Sequence, residues 1–324
     1  MEDENQLIRQ RKQKLEDLRK LGVNPYAYRY EKKDYAANIL EEFKKSKKDE
    51  KSKKKVRISG RIISLRSMGK VAFGHILDAT GKIQFYVKED EIGKEEYKKF
   101  SKFDVGDIAG IEGKVFRTQK GEISVWVSKI EMLTKSLRML PEKWHGLKDP
   151  ELRYRQRYLD LIVNQEVKDI FMKRSKIIQG MRQFLIDNGY AEVETPILQP
   201  IYGGTSARPF ESYLNALNMK VYMRISNELY LKRLIAGGYE KIFEFSPDFR
   251  NEGIDKTHNP EFLQMETMKA YANYDDNMEF IQKIIIGTMK NVVKGTKIDY
   301  QGIKIDFKLP WKKISMIEAI KKVT

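Results

Sequence analysis

The 324 residues include no cysteine, so disulfides and thiolate metal sites are excluded, and a cytosolic setting fits that usage. Histidine is nearly as scarce. His75, His145 and His258 lie far apart in the chain and do not make a His-rich metal motif. No apolar run approaches the ~18–20 residues that a membrane span requires. The opening Met-Glu-Asp-Glu is acidic and lacks the apolar core of a signal peptide. A phosphate-binding P-loop and a dinucleotide glycine fingerprint are also missing, and no internal repeat is visible.

What is plentiful is positive charge. Lys and Arg number 62 against 46 Asp and Glu, a formal net charge of +16. An excess of that sign favours a polyanionic partner, nucleic acid before membrane. Apolar residues make up 41% and aromatics 11%, enough to pack cores, and the length suits two domains.

Residues 4–21 predict a helix, with Leu7, Ile8, Leu15, Leu18 and Leu21 at roughly helical spacing before Gly22 and Pro25. The next landmark is Lys44–Lys55, with eight lysines in twelve residues. It reads as a solvated linker, with a phosphate-binding arm as the sharper alternative. From Val56 the pattern becomes short strands: Val56–Leu65, Val71–Leu77, Ile83–Val87, then a charged helix at Glu91–Phe103, then Asp107–Phe116 and Ile123–Leu133. Three strands, a helix and two strands is the order of an OB-fold barrel, which binds single-stranded nucleic acid with the face of its second and third strands. By alternation Phe73, His75 and Leu77 share one face, as do Gln84 and Tyr86; burial is the commoner fate of a single Phe, but the polar neighbours on that face favour a solvent-facing platform.

Asp149-Pro150 reads as a helix start, opening an arginine-rich helix to about Asn164. A second helix over residues 165–188 carries an apolar stripe suited to a core or a dimer interface. Strands at Ala191–Thr195, Tyr239–Arg250 and Pro260–Tyr271 follow, with helices at Asn277–Val293 and from Ser315. Long antiparallel strands with helices on their flanks predict an α+β domain. Its chemistry concentrates in Phe249-Arg250-Asn251-Glu252-Gly253, then His258-Asn259-Pro260-Glu261-Phe262, then Glu266. Arginine clamps phosphate bidentately, carboxylates receive ammonium groups and Phe stacks on a base. The set suits a triphosphate and an amine-bearing substrate, whereas a salt-bridged surface hairpin is the plainer alternative.

These stretches resemble a known family. FRNEG at 249–253 with HNPEF at 258–262 is similar to motif 2 of class II aminoacyl-tRNA synthetases, and GYAEVETPIL at 189–198 resembles motif 1, the dimer element. HGLKDPELRYRQRYLDLIVN (145–164), GGTSARPF (203–210), NALN (215–218) and YMRISNELYLKRLIAGGYEKIFE (222–244) resemble the lysyl enzymes in particular. SMGKVAF (67–73), GKIQFYV (81–87) and GEISV (121–125) resemble their anticodon-binding domain.

The resemblance implies an α+β chain: a helix and basic linker (1–55), an OB-fold anticodon-binding barrel (56–137), a connector (138–164) and an incomplete class II antiparallel-sheet domain with flanking helices (165–324). It implies an ATP-dependent ligase that makes lysyl-adenylate from L-lysine and passes lysine to tRNA(Lys), in the cytoplasm, as a homodimer joined through motif 1. Arg250 would be catalytic, binding the α-phosphate of ATP and the lysine carboxylate. Glu252, His258, Asn259 and Phe262 would complete the ATP site. Gly204, Glu228, Glu266 and Met268 would join Arg250 around lysine. Arg66, Phe73, Gln84 and Glu122 would read a uridine-rich anticodon.

Two departures stand out. The family usually has a tyrosine at Met268, so a hydroxyl against the lysine side chain is lost. The glycine-rich motif 3, the Mg²⁺-binding carboxylates and the glutamate facing the lysine ε-ammonium would lie beyond Thr324. No metal site is therefore expected within this chain, and residues 1–324 are expected to bind tRNA without activating lysine. An aspartyl- or asparaginyl-type enzyme shares the barrel and motif 2, but the NELYLKRL and RYRQRYLDLI stretches argue against it. A non-catalytic RNA-binding module is the third reading.

Overall fold

A computed structural model describes residues 6–48, 50–141, 147–293 and 295–322. His145, the start of the predicted first helix and part of the lysine-rich run lie outside them. The chain divides into two compact units, residues 1–165 and 166–324.

The first unit is a closed ring of five strands, β1 (Lys51–Met68), β2 (Val71–Leu77), β3 (Lys82–Lys88), β4 (Ile108–Arg117) and β5 (Ile123–Thr134), paired in the order β1-β2-β3-β5-β4. Alternation decides which side chains enter it. Ile58, Ile62, Ala72, Ile76, Phe85, Val87, Ile111 and Val125 point inward and are fully buried, while the residues between them stay half-exposed. Helices α1 (Gln6–Lys20) and α2 (Ala36–Glu42) add Leu18 and Ile39 to this core. The predicted helix at Glu91–Phe103 is two short ones, α3 (Glu89–Ile92) and α4 (Lys94–Phe100). They are split at Gly93, whose φ of 87° lies outside the helical region.

The first strand begins inside the lysine-rich run rather than at Val56. Lys51–Lys55 pair with β4, Lys51 opposite Phe116 and Lys55 opposite Lys114. The Lys51 ammonium lies 3.2 Å from the centroid of the Trp126 ring, and Lys54 pairs with Glu42 at 2.7 Å. Part of the expected linker is thus a barrel strand whose outward residues are lysines. Asp149 caps α5 (Pro150–Arg155) as expected, accepting from the Glu151 and Leu152 amides. The expected single helix breaks at Gln156 before α6 (Arg157–Val163). Arg153 and Arg157 both pair with the buried Asp160, so their charges are already engaged.

The second unit opens with α7 (Gln165–Asp187), and its described residues form three small sheets. In one, β6 (Ala191–Glu192) runs parallel to β10 (Lys241–Phe249), which pairs antiparallel with β11 (Glu261–Lys269). The second joins β7 (Leu198–Gln199), β9 (Met219–Met223) and β8 (Glu211–Leu214), and the third β12 (Lys297–Tyr300) and β13 (Ile303–Asp306). Helices α8 (Glu228–Ala236), α9 (Tyr274–Val292) and α10 (Met316–Lys321) complete it. Phe243, Phe245 and Met265 face Leu185, Met181 and Phe184 of α7 and Ile284 and Phe280 of α9. The two helices therefore cover one face of the β10–β11 hairpin, and alternation assigns Glu244, Ser246, Asp248, Phe262, Gln264 and Glu266 to the other.

At the end of the barrel, Lys135 is buried with Asp107, 2.8 Å apart, and also reaches Asp104 at 2.6 Å. Asp107 accepts from the Ser136 amide as well, at 2.7 Å, so the pair anchors the end of β5 to the start of β4. Lys135→Met is expected to destabilise the barrel by about 3–5 kcal/mol in urea unfolding, because Asp107 is left buried and unpaired. A loss well under about 1 kcal/mol would show that the pair is not an anchor.

Candidate nucleic-acid and substrate sites

Register arranges the outer face of the barrel in two rows. Arg66 of β1 lies opposite Phe73 of β2, Phe73 opposite Tyr86 of β3, and Tyr86 opposite Trp126 of β5. One pleat away, Ser64, His75, Gln84 and Ser124 oppose one another across the same four strands. The first row is aromatic, with ring centroids 4.6 Å apart for Phe73–Tyr86 and 4.7 Å for Tyr86–Trp126. The second is polar and hydrogen-bonded throughout. His75 bonds Ser64 Oγ at 2.8 Å and Glu122 Oε1 at 2.7 Å. Gln84 donates to Glu122 Oε2 at 2.8 Å and accepts from Ser124 Oγ at 2.6 Å.

Arg66, Phe73, Gln84 and Glu122 line one cavity of about 760 Å³. All four residues expected to read an anticodon thus meet at one place. Trp126 and Ser124 are absent from the expected set, although alternation along β5 could have found them. Lys51 is anticipated only as part of the lysine-rich run, and its place over Trp126 follows from the early start of β1.

In the second unit the expected ATP residues also converge. Arg250, Glu252, His258, Asn259 and Phe262 line a cavity of about 500 Å³. The Arg250 guanidinium carbon lies 5.0 Å from the centroid of the Phe262 ring. Its Nε is buried without a protein acceptor, which leaves a donor for an anion. Glu252 accepts from the Arg208 amide at 3.3 Å. His258 is exposed and its Nδ1 bonds Asp255 at 2.7 Å. The Thr257 amide, with help from the His258 ring, holds the Asp255 carboxyl down at about 2.

Of the residues expected around lysine, Gly204, Glu228 and Glu266 form a second cluster. Gly204 has φ +91°, and a Cβ there would sit 2.9 Å from Ser226 Oγ and 3.0 Å from Glu228 Cβ, so the backbone passes directly over them. Glu228 begins α8 and pairs with Lys232 one turn on. Glu266 lies half-buried on the facing strand, its carboxyl pushed up by burial and then by the charges of Glu228 and Asp248. Met268 is opposite Ile242, further along the same face.

A buried network supports this cluster. Arg224 pairs with Glu244 at 2.7 Å and with Asp248 at 3.3 Å. Thr195 and Asn227 donate to the other Glu244 oxygen at 2.8 and 3.2 Å. Asp248 is fully buried, which pushes its carboxyl up despite Arg224 and Arg250. Among the described residues no group of three or more His, Asp or Glu could hold a metal ion, and no helix is long and apolar enough to cross a membrane.

A barrel with an aromatic outer row, followed in the chain by an antiparallel hairpin that leads to an arginine with an unused buried donor, has counterparts among known proteins. The family model for class II tRNA synthetases (D, K and N) matches residues 149–324, and that for the OB-fold nucleic acid binding domain matches residues 56–133. The chain belongs to the class II tRNA synthetases of this group.

Its relatives narrow the comparison. It is 50% identical over 320 residues to the lysine–tRNA ligase of Carboxydothermus hydrogenoformans, covering 99% of this chain and 64% of that protein. It is 50% identical over 317 residues to that of Syntrophomonas wolfei, covering 98% and 63%. It is 51% identical over 320 residues to that of Pelotomaculum thermopropionicum, covering 99% and 62%. The chain thus spans a little under two thirds of the length of these relatives.

Glu266 has its carboxyl raised in the folded state, so its ionised form costs stability that the unfolded chain does not lose. Glu266→Gln is expected to raise the melting temperature at neutral pH. The gain should shrink as pH falls towards the ordinary glutamate value of 4.5. A gain that does not vary with pH, or a loss at neutral pH, would contradict the crowding of carboxylates around Glu266.

Proposed function

We propose that the protein carrying this chain is a lysine–tRNA ligase, which joins L-lysine to ATP as lysyl-adenylate and then passes lysine to tRNA(Lys). The observation that carries the reading is the convergence of two carboxylates, Glu228 and Glu266, beside Gly204 on the same face as Arg250 and Phe262. Carboxylates without an equal number of cations suit an amino acid that brings its own ammonium groups. The names of the relatives support lysine within the D, K and N group.

The chemistry suits these side chains. The lysine carboxylate is already ionised at neutral pH, so attack on the α-phosphate needs no general base. The obstacle is charge repulsion and alignment, which Arg250 answers by holding carboxylate and α-phosphate together. Phe262 offers a stacking face for adenine, Glu252 and Asn259 hydrogen-bonding groups, and His258 a donor towards the far phosphates. Met268 gives the lysine stem an apolar wall. A divalent metal commonly screens such phosphates. The described residues offer no cluster of ligands for it.

In the barrel, Phe73 and its aromatic row provide stacking surface, while Arg66, Gln84 and Glu122 reach base edges and phosphate of the anticodon. Pairing of two copies through the motif 1 region would cover the outer side of α7, where Ile170, Met172 and Ile177 are exposed.

Two measurements test the proposal. In the protein carrying this chain, ATP–pyrophosphate exchange is expected with L-lysine and not with aspartate or asparagine. Arg250→Ala should cost about 3–4 kcal/mol of transition-state stabilisation. Exchange with aspartate or asparagine in preference to lysine would sink the lysine assignment. For the barrel, Phe73→Ala should weaken binding of a tRNA anticodon stem-loop by about 1–3 kcal/mol. Unchanged affinity would remove Phe73 from the interface.

A further inference from the structure

Gln84 presents a side-chain amide, and an amide has an ambiguity. Turned by half a rotation about its last bond, it exchanges Oε1 for Nε2, so a free glutamine offers acceptor and donor in either order. Uracil and cytosine differ by the same exchange. Where uracil carries a carbonyl acceptor, cytosine carries an amino donor. A glutamine free to turn could satisfy both bases and choose neither.

Gln84 is not free to turn. Its Nε2 donates to Glu122 Oε2 at 2.8 Å, and its Oε1 accepts from Ser124 Oγ at 2.6 Å. Reversal would set the amide oxygen against a carboxylate oxygen, two acceptors with no proton between them. Glu122 is itself exposed, just ahead of β5, and would swing aside if nothing held it. Its second oxygen is held by His75 Nε2 at 2.7 Å. An ionised carboxylate only accepts, so the proton of that bond belongs to Nε2. In the neutral ring Nδ1 is then left to accept from Ser64 Oγ, at 2.8 Å. Ser64, His75, Gln84 and Ser124 come from four different strands at the same level of the sheet, and Glu122 stands two residues before Ser124, so strand pairing sets the frame of the relay before any RNA arrives.

We propose that His75 is a positioning residue for base discrimination. Through Glu122 it holds the Gln84 amide in one of its two orientations, so that the barrel separates uracil from cytosine in the anticodon. The inference rests on the anticodon reading given above. It adds a residue that acts through the Gln84 amide, by removing one of its two orientations.

The test uses the full chain and tRNA anticodon stem-loops that differ only at the central anticodon base, uracil or cytosine, titrated by fluorescence anisotropy. The unmodified chain is expected to favour the uracil loop. His75→Leu should narrow the uracil-to-cytosine affinity ratio by about fivefold, the size of one net hydrogen bond. The narrowing should come mainly from tighter binding of the cytosine loop, since the amide can now turn to meet it. A residue that merely supports the barrel would weaken both loops together. His75→Gln, which keeps a donor for Glu122, should restore part of the ratio. Ser124→Ala, a small change on the far side of the amide, should narrow it in the same direction.

An unchanged ratio in His75→Leu and Ser124→Ala, with the unmodified chain still discriminating, overturns the inference and leaves the anticodon reading standing. Equal weakening of both loops overturns it in favour of a structural role. No discrimination by the unmodified chain overturns the anticodon reading, and the inference with it.

Discussion

Strand register is the constraint on which both sites depend. Side chains along a strand alternate between faces, so a slip of one residue would move every functional group to the opposite side. In the barrel, β1 shifts register once, between Ile62 and Ser64, and the unbroken pairing from Ser64 onwards across β2, β3 and β5 sets an aromatic row beside a polar one. In the hairpin, nine successive pairs from Lys241–Lys269 to Phe249–Glu261 place Glu244 opposite Glu266 and Asp248 opposite Phe262. The register is enforced from behind. Phe85 and Ile76 are sealed in the barrel core, and Phe243 lies beneath two helices. Sliding either ladder would carry these apolar groups into water at about 1.5–3 kcal/mol each.

The two sites use polar groups in opposite ways. On the barrel face, hydrogen-bonding capacity is largely satisfied within the protein, and the polar row is ordered in advance. In the hairpin, charge is left unbalanced. Glu266 lies close enough to Glu228 and Asp248 to feel both, and burial raises its carboxyl further. An arrangement that costs stability in this way is what a site for a cationic substrate requires, since the substrate brings the missing charge. The cost is tolerable because Arg224 ties Glu244 and Asp248 together below it, with Thr195 and Asn227 closing the remaining oxygen.

Much of this was legible in the sequence, unevenly and for physical reasons. The β3 run alternates strictly between residues bearing a polar group and apolar ones, so its facing followed from pattern alone, whereas Val71–Leu77 carries apolar residues on both faces and only His75 marks its outer one. Asp149-Pro150 announced its helix because capping chemistry is local. The early part of β1 did not. Lys51–Lys55 has no apolar residue to mark a face, and only pairing with β4 makes it a strand. The two-residue strands β6 and β7 exist only through distant partners, and such pairing leaves no local period. The motif 2 residues were readable as a charged cluster. That Gly204 and Ser226 crowd against Glu228 could be learned only from the folded backbone. The relay through His75 was hidden for the same reason: its members are scattered from Ser64 to Ser124 and meet only by register.

The outer face of the barrel, with its paired aromatic and polar rows, is the surface proposed to receive nucleobases. The most direct test is a crystal structure of the chain bound to an anticodon stem-loop. A base stacked on Phe73 with its edge against Gln84, and with the Gln84–Glu122–His75 bonds intact, is the expected result. RNA seated elsewhere on the barrel, with that face still open to solvent, would contradict it.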